Sequence, residues 1–307
     1  MRARPDRRVR LKLGVLVLPD STWSDQMEKW RAVESMGFDS GWTYDHIWWR
    51  RLPHSPWLSA IPLLAAVACA TEKLRIGLMV ASPNFRHPVL LAKDAVAVSD
   101  ISNGRFVLGV GSGAPSAGDA HMLGGQPLTP AARADRFDEF VTLTRRLLRE
   151  PIVSARGEYF SADEARVCPP AKTILPPFAV AASGRRGIEL AAKYADVWIT
   201  PGPADWLGEY TLDECVGKVR EQVAALERRC EEIGRPTDEI ERVFLATPMV
   251  GNPLQSSDTC LRLAEALATV GINHLVVHWP RADTIYTGDS RVLGQVAERV
   301  SGEIRNL

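Results

Sequence analysis

The chain has 307 residues and a mass of 33.8 kDa, enough for two ordinary domains or for one α/β barrel. With 46% hydrophobic and 24% charged residues it can bury a large core, which excludes wholesale disorder. Its 37 basic and 37 acidic side chains cancel, which argues against a nucleic-acid partner and against an anionic membrane surface.

Residues 1–10 carry Arg2, Arg4, Arg7, Arg8 and Arg10 with no apolar stretch behind them. They read as a disordered basic arm and not as a secretory leader. From Leu11 onward, strand-like runs alternate with helix-like stretches. The predicted strands are 11–18, 40–44, 75–80, 106–111, 178–182, 196–200, 242–250 and 274–278. Most are nearly continuous apolar runs, the pattern of parallel strands buried on both faces. The stretch 133–149 places Phe137, Phe140, Val141, Leu147 and Leu148 on one helical stripe. The stretch 212–233 does the same from Leu212 and Val216 through Leu226 and Cys230 to Ile233. A last helix uses Leu293, Val296, Val300 and Ile304. Met36-Gly37-Phe38 and Val270-Gly271-Ile272 share one punctuation, in which a left-handed glycine ends a helix and the next apolar residue packs back. Eight strands alternating with helices predict one domain over 11–307, a (β/α)8 TIM barrel, with an open doubly wound sheet as the alternative. Two stretches read as insertions: 113–132 after the fourth strand and 151–177 after the fourth helix.

In such a barrel the chemistry sits at the C-terminal ends of the strands. After the first strand, Asp20 is either a helix cap or a site carboxylate. After the second, Asp45-His46 offers a protonatable imidazole with a carboxylate nearby, or a loop histidine bonded to backbone. After the third, Arg86-His87 either serves the site or anchors the next helix, whose first turn suits Pro88. After the fourth, residues 109–114 match G-x-G-x-x-A, but Pro115, Gly118 and Pro127 follow where a dinucleotide turn needs a helix. What survives is a glycine-lined strand end that another group approaches closely. After the fifth, Ser183-Gly184-Arg185-Arg186 at a helix N-terminus forms either a phosphate cradle or an ordinary helix start with solvated arginines. Trp48, Trp49, Trp57 and Trp279 are expected around one mouth, where they would wall in an apolar ring or simply edge the core. Cys69, Cys168, Cys215, Cys230 and Cys260 are odd in number and form no CxxC pair, which fits a reducing cytoplasm with neither disulfides nor a zinc site. The histidines show no metal-ligand spacing, there is no G-x-S-x-G, and the longest apolar run, 61–70, is too short to cross a bilayer.

Four stretches carry a family resemblance: 34–46 (ESMGFDSGWTYDH), 75–88 (RIGLMVASPNFRHP), 104–113 (GRFVLGVGSG), and 181–184 (AASG) with 191–198 (AAKYADVW). Together, and in this order, the chain resembles the luciferase-like monooxygenase superfamily, particularly its branch using the deazaflavin coenzyme F-420 (F420). The C-terminal third matches only in pattern. The resemblance implies a (β/α)8 barrel holding the coenzyme ring in its mouth. It implies a non-prolyl cis peptide at Met79–Val80, whose bulge, with Ala81, backs that ring. It implies His46 near the reacting carbon with Asp45 beside it, Gly111, Ser112 and Gly113 under the coenzyme, and the coenzyme phosphate at Ala182-Ser183-Gly184-Arg185. Asp-His after the second strand, and no arginine just after the fourth, lean to F420 over flavin mononucleotide (FMN). FMN would instead make the chain a reduced-FMN-dependent monooxygenase. Sugar-phosphate dehydrogenases of the F420 branch carry a catalytic glutamate where this chain has Ala114, and a tryptophan-rich mouth suits a phosphorylated sugar poorly. The expectation is therefore hydride transfer between reduced F420 and an apolar or aromatic small molecule, with C=C or C=N reduction favoured. A separate reductase supplying the coenzyme and a homodimeric assembly accompany that expectation. A ligand-binding barrel without redox chemistry is the last alternative.

Overall fold

The computed structural model describes residues 11–113, 118–205, 208–282 and 284–303. The basic arm, Ala114 and Ile304 lie outside the described residues. The chain runs β1 (Lys12–Leu16), α1 (Trp23–Ser35), β2 (Ser40–Thr43), α2 (Ala60–Ala70), β3 (Arg75–Leu78), α3 (Pro88–Ile101) and β4 (Phe106–Val110). A short α4 (Gly118–Met122) and a long α5 (Pro130–Arg149) follow, then the strands β5 (Val153–Arg156) and β6 (Ser161–Ala165). The barrel resumes with β7 (Phe178–Ala181), α6 (Arg185–Tyr194), β8 (Val197–Thr200), α7 (Leu212–Glu232), β9 (Glu241–Leu245), α8 (Ser257–Ala268), β10 (His274–His278) and α9 (Ser290–Glu303).

Eight parallel strands close in the order β1-β2-β3-β4-β7-β8-β9-β10, with β10 returning to β1 in register from Lys12 opposite His274 to Leu16 opposite His278. This is the expected (β/α)8 barrel, and it excludes the open sheet. Alternate residues of each strand point into the barrel or out to the helices. Leu16, Trp42, Val107, Ala179, Val243 and Val276 fill the inside. Leu13, Val15, Ile76, Phe106, Phe178 and Leu275 pack outward against the helices. The glycine punctuation is also present. Gly37 and Gly271 have φ of 83° and 89°, and the N–H of the following Phe38 and Ile272 reaches back to Val33 O and Leu267 O.

One expectation needs correction. The predicted strand 242–250 stops at Leu245, because Pro248 has no N–H for a ladder and a 3-10 turn, Pro248–Val250, takes its place. The insertion 151–177 holds a hairpin, in which β5 and β6 pair antiparallel outside the barrel. Its turn is tied down by Glu139 of α5, whose carboxylate accepts the backbone N–H groups of Glu158, Tyr159 and Phe160 at 2.9, 2.9 and 3.1 Å.

The N-terminal floor of the barrel is closed by charge. The Glu241 carboxylate accepts from His274 Nδ1 at 2.7 Å, Arg75 Nη1 at 2.7 Å and Lys12 Nζ at 3.1 Å. Ser40 Oγ accepts from Trp42 Nε1 and meets His274 Nε2, both at 2.8 Å. Burial alone would raise the Glu241 pKa, but the His274 hydrogen bond and the charges of Arg75, His274 and Lys12 outweigh it and hold the group well below the usual carboxylate range. A depressed folded-state pKa contributes stability that is present above the unfolded value of 4.5 and lost as pH falls below it. Glu241→Gln is expected to cost about 1–3 kcal/mol at pH 7, because it weakens the hydrogen bonds from the buried His274 Nδ1 and the partly buried Arg75. Urea denaturation should show this gap constant from about pH 7 to pH 5 and narrowing from pH 4.5 to about pH 3, and a gap that does not change below pH 4.5 would remove Glu241 from the acid response.

Candidate active site

The loop after β2 begins Tyr44-Asp45-His46. Asp45 is 1% exposed and bound by both arms of Arg86, with Nε to Oδ2 at 2.9 Å and Nη2 to Oδ1 at 2.7 Å. Burial still raises its pKa despite the Arg86 charge. Asp45 is therefore spent on Arg86 and makes no hydrogen bond to His46. The carboxylate on His46 belongs to Asp119, in α4: His46 Nδ1 lies 2.7 Å from Asp119 Oδ2, and the Ile47 N–H donates to Asp119 Oδ1 at 2.8 Å. Asp119 is fully buried. Sequence reasoning missed it, because 73 residues separate it from His46. The available signal was that Asp119 is the only acid between Gly113 and Ala132.

The His46 ring stacks on Trp49 at 4.7 Å between centroids, and Trp49 continues to Trp57 at 6.4 Å. The structure brings only these two of the four expected tryptophans to the mouth. Trp279 packs against the cluster outside the barrel, because its neighbour His278 points inward and successive strand residues alternate. The Trp48 indole turns instead to Pro53 O at 3.3 Å and lies against Gly118.

Beside the mouth, His278 Nδ1 donates to Ala246 O at 3.0 Å, and its Nε2 accepts from Tyr44 Oη at 2.8 Å. Burial pushes its pKa down to about 4, so the ring is neutral. Tyr286 packs on the same ring at 4.5 Å, and its Oη takes the Trp49 Nε1–H at 3.2 Å. A cleft of about 190 Å³ adjoins this group, lined by Thr247, Pro248, Leu254, His278, Ile285 and Tyr286 among others. Lys, Arg, Asp and Glu are absent from its lining among the described residues.

The peptide Met79–Val80 is cis, as the resemblance implied. The same region explains the glycine-lined end of β4. A Cβ at Gly109 would strike Leu78 O, and one at Gly111 would meet Val80 Cγ2 at 2.5 Å. The group that approaches these glycines is the continuation of β3 itself, held by Ala81 N–H to Gly109 O at 2.8 Å and Gly111 N–H to Ala81 O at 2.9 Å. Gly113, at φ 73°, faces the Asn84 side chain, and Ser112 beside it is half-buried. Val80 and Ala181 join Trp49 and Trp57 as the partly uncovered apolar residues on the inner cluster.

After β7, α6 opens at Arg185 behind Gly184, whose N-cap position has no side-chain hydrogen bond. Open space surrounds the point where a Gly184 Cβ would lie. Ser183 O accepts from Gln222 Nε2 at 3.3 Å, which fixes the turn beyond the buried Ala182. Arg185 is exposed and pairs with Glu189 at 3.3 Å, while Arg186 pairs with Asp135 at 2.6 Å. The free N–H groups of an uncapped helix start suit an anionic group such as a phosphate.

The luciferase-like monooxygenase family profile matches residues 9–286. The chain belongs to that family. It is 28% identical over 328 aligned positions, covering 92% of this chain and 95% of the relative, to the F420-dependent glucose-6-phosphate dehydrogenase of Amycolatopsis mediterranei. It is 33% identical over 179 positions, covering 55% of this chain and 46% of the relative, to the F420-dependent hydroxymycolic acid dehydrogenase of Mycobacterium tuberculosis. In fold it matches an F420-dependent secondary alcohol dehydrogenase solved with an F420-acetone adduct, at TM-score 0.76 and 18% identity over 95% of this chain and 99% of that one.

The Asp45–Arg86 pair allows a direct test of what holds this end of the barrel. Arg86→Ala is expected to cost about 3–5 kcal/mol, because it leaves a buried carboxylate unpaired. Adding Asp45→Asn should recover a large part of that loss in chemical denaturation. If the double variant is no more stable than the single one, the pairing does not account for the cost.

Proposed function

We propose that this chain is an F420-dependent oxidoreductase acting on a neutral, largely apolar small molecule. The observation that carries the reading is one arc of the barrel, β2-β3-β4-β7. Along it lie the His46 imidazole, the uncovered apolar surface of Trp49, Val80 and Ala181, and the uncapped start of α6. An extended coenzyme with a flat ring and a phosphate-bearing tail fits that sequence of surfaces. Val80 and Ala181 would bear on the ring, and the backbone N–H groups at Ser183-Gly184-Arg185 would hold the phosphate. When bound, F420 supplies a hydride-accepting and hydride-donating carbon. The F420 dependence named for the curated relatives supports the same choice over FMN.

The protein's own part is binding, orientation and proton handling. His46 carries the exchangeable proton at the mouth, and its stacking on Trp49 fixes the ring plane. The neutral cleft beside His278 supports an uncharged substrate, and its volume of about 190 Å³ suits a single ring. Ala114, at the position of the sugar-phosphate dehydrogenases' glutamate, supports reduction of a C=C or C=N bond over oxidation of a sugar.

The test is a fluorescence titration of the purified chain with F420 and, separately, with FMN, followed by turnover of reduced F420 with cyclohex-2-enone and 3,4-dihydroisoquinoline. Preferential F420 binding and consumption of reduced coenzyme are expected. FMN preference with oxygen uptake would overturn the reading in favour of a monooxygenase. His46→Ala should lower kcat by about 10²- to 10⁴-fold while leaving the F420 Kd nearly unchanged. Ser183→Asp should weaken F420 binding by setting a charge against the phosphate, and an unaltered Kd would take that turn out of the site.

A further inference from the structure

We propose that Asp119 is the positioning residue for His46, so that the working acid–base unit is the cross-loop pair His46–Asp119 and not the adjacent pair Asp45–His46. This rests on the reading of His46 as the proton-handling group.

Asp119 Oδ1 accepts from the Ile47 N–H at 2.8 Å, and Asp119 Oδ2 lies 2.7 Å from His46 Nδ1. An ionised carboxylate only accepts, so opposite one the hydrogen between Asp119 and His46 belongs to Nδ1. The neutral ring then carries its lone pair on Nε2, the nitrogen left for a reacting group. Asp45 cannot set this tautomer, because Arg86 takes both of its oxygens. Among the described residues the Trp49 face at 4.7 Å and the Tyr44 ring edge at 6.0 Å hold the plane of the imidazole, and the other carboxylate whose charge reaches it, Asp45, is paired with Arg86. When Nε2 takes a proton, the buried Asp119 carboxylate stands against the imidazolium that forms, and when it gives the proton up, the same tautomer returns. Asp119 also ties α4, beyond the glycine-rich end of β4, to the loop after β2. One side chain thus couples the geometry of two loops to the protonation pattern of one ring.

Asp119→Asn separates this role from a purely structural clamp. The amide keeps an oxygen for the Ile47 N–H but turns an N–H toward Nδ1. The ring then accepts at Nδ1 and carries its hydrogen on Nε2, the wrong tautomer for taking a proton there. The corresponding change in a Ser–His–Asp protease lowers kcat about 10⁴-fold with the geometry intact. In the full-length chain, ¹⁵N NMR of the His46 ring should show Nδ1–H in the wild type and Nε2–H in Asp119→Asn. Turnover of the better of the two probe substrates should fall about 10²- to 10⁴-fold, with KM and the F420 Kd changing by no more than about threefold. The double variant His46→Ala/Asp119→Asn should be no slower than His46→Ala alone, because both changes disable one unit.

A wild-type ring bearing its hydrogen on Nε2 would overturn the proposal. So would an Asp119→Asn variant that keeps the Nδ1–H tautomer while losing only thermal stability or coenzyme affinity, which is the behaviour of a clamp. If His46→Ala leaves turnover intact, the reading of His46 fails on kinetics. The NMR tautomer in wild type and Asp119→Asn still decides whether Asp119 positions the ring.

Discussion

Closing eight short parallel strands into a barrel gives every strand residue one of two destinations, and much of the site follows from that choice. Val107, Gly109 and Gly111 share the inward face of β4 and the backbone just beyond it. Glycine at the last two of these positions lets the end of β3 lean into the barrel, where any side chain would strike Leu78 O or Val80. Gly77 likewise clears room for the Trp42 ring, since a Cβ there would meet it at 2.5 Å. The inward lean of 79–81 leaves Val80 partly uncovered at the mouth, in line with Ala181 on β7. The apolar wall of the site is therefore a packing consequence of glycines on the neighbouring strand.

This constraint also explains what was legible in the sequence. Mostly continuous apolar runs of five to nine residues located the barrel strands, because parallel strands buried on both faces carry few polar side chains. The glycines at 37 and 271 were readable because a left-handed helix end requires them. The cis peptide at Met79–Val80 was carried by the resemblance of 75–88 and by no local propensity. Two things escaped. The strands of the hairpin β5–β6 have only four and five residues, too few for their alternation to stand out, and a carboxylate on α5 pins its turn from a distance. The tryptophans were grouped by residue type, whereas the inward or outward parity of each position decides where its ring goes, which sends Trp279 to the outer cluster.

Two carboxylates at the mouth are compensated locally. Asp45 holds Arg86, and Asp20 meets both Arg281 and, at 3.5 Å, Lys29. In sequence, Asp20 reads as either a helix cap or a site carboxylate. Its contacts make it an anchor that ties the loop after β10 to the first loop and to α1. Guanidinium groups committed to carboxylates are poor hosts for a further anion, since binding one would break an existing pair. The neutral cleft and these internal pairs point the same way, toward a guest recognised by shape and apolar surface.

Three histidines of this barrel show how one residue type takes different roles. His274, His278 and His46 each have Nδ1 engaged, to Glu241, to the carbonyl of Ala246 and to Asp119. His274 sits on the floor with Ser40 on its other nitrogen, fully enclosed, and serves stability. His278 is flanked by neutral groups on both nitrogens, and burial keeps it unprotonated, so it shapes the mouth and exchanges nothing. His46 alone combines a carboxylate on Nδ1, no committed partner on Nε2 among the described residues, and a place at the C-terminal opening. The distinction lies in the partner of each nitrogen and in which end of the barrel the residue occupies. The partner that sets His46 apart arrives from a loop far away in the chain, which is why the adjacent Asp45 looked like the natural one.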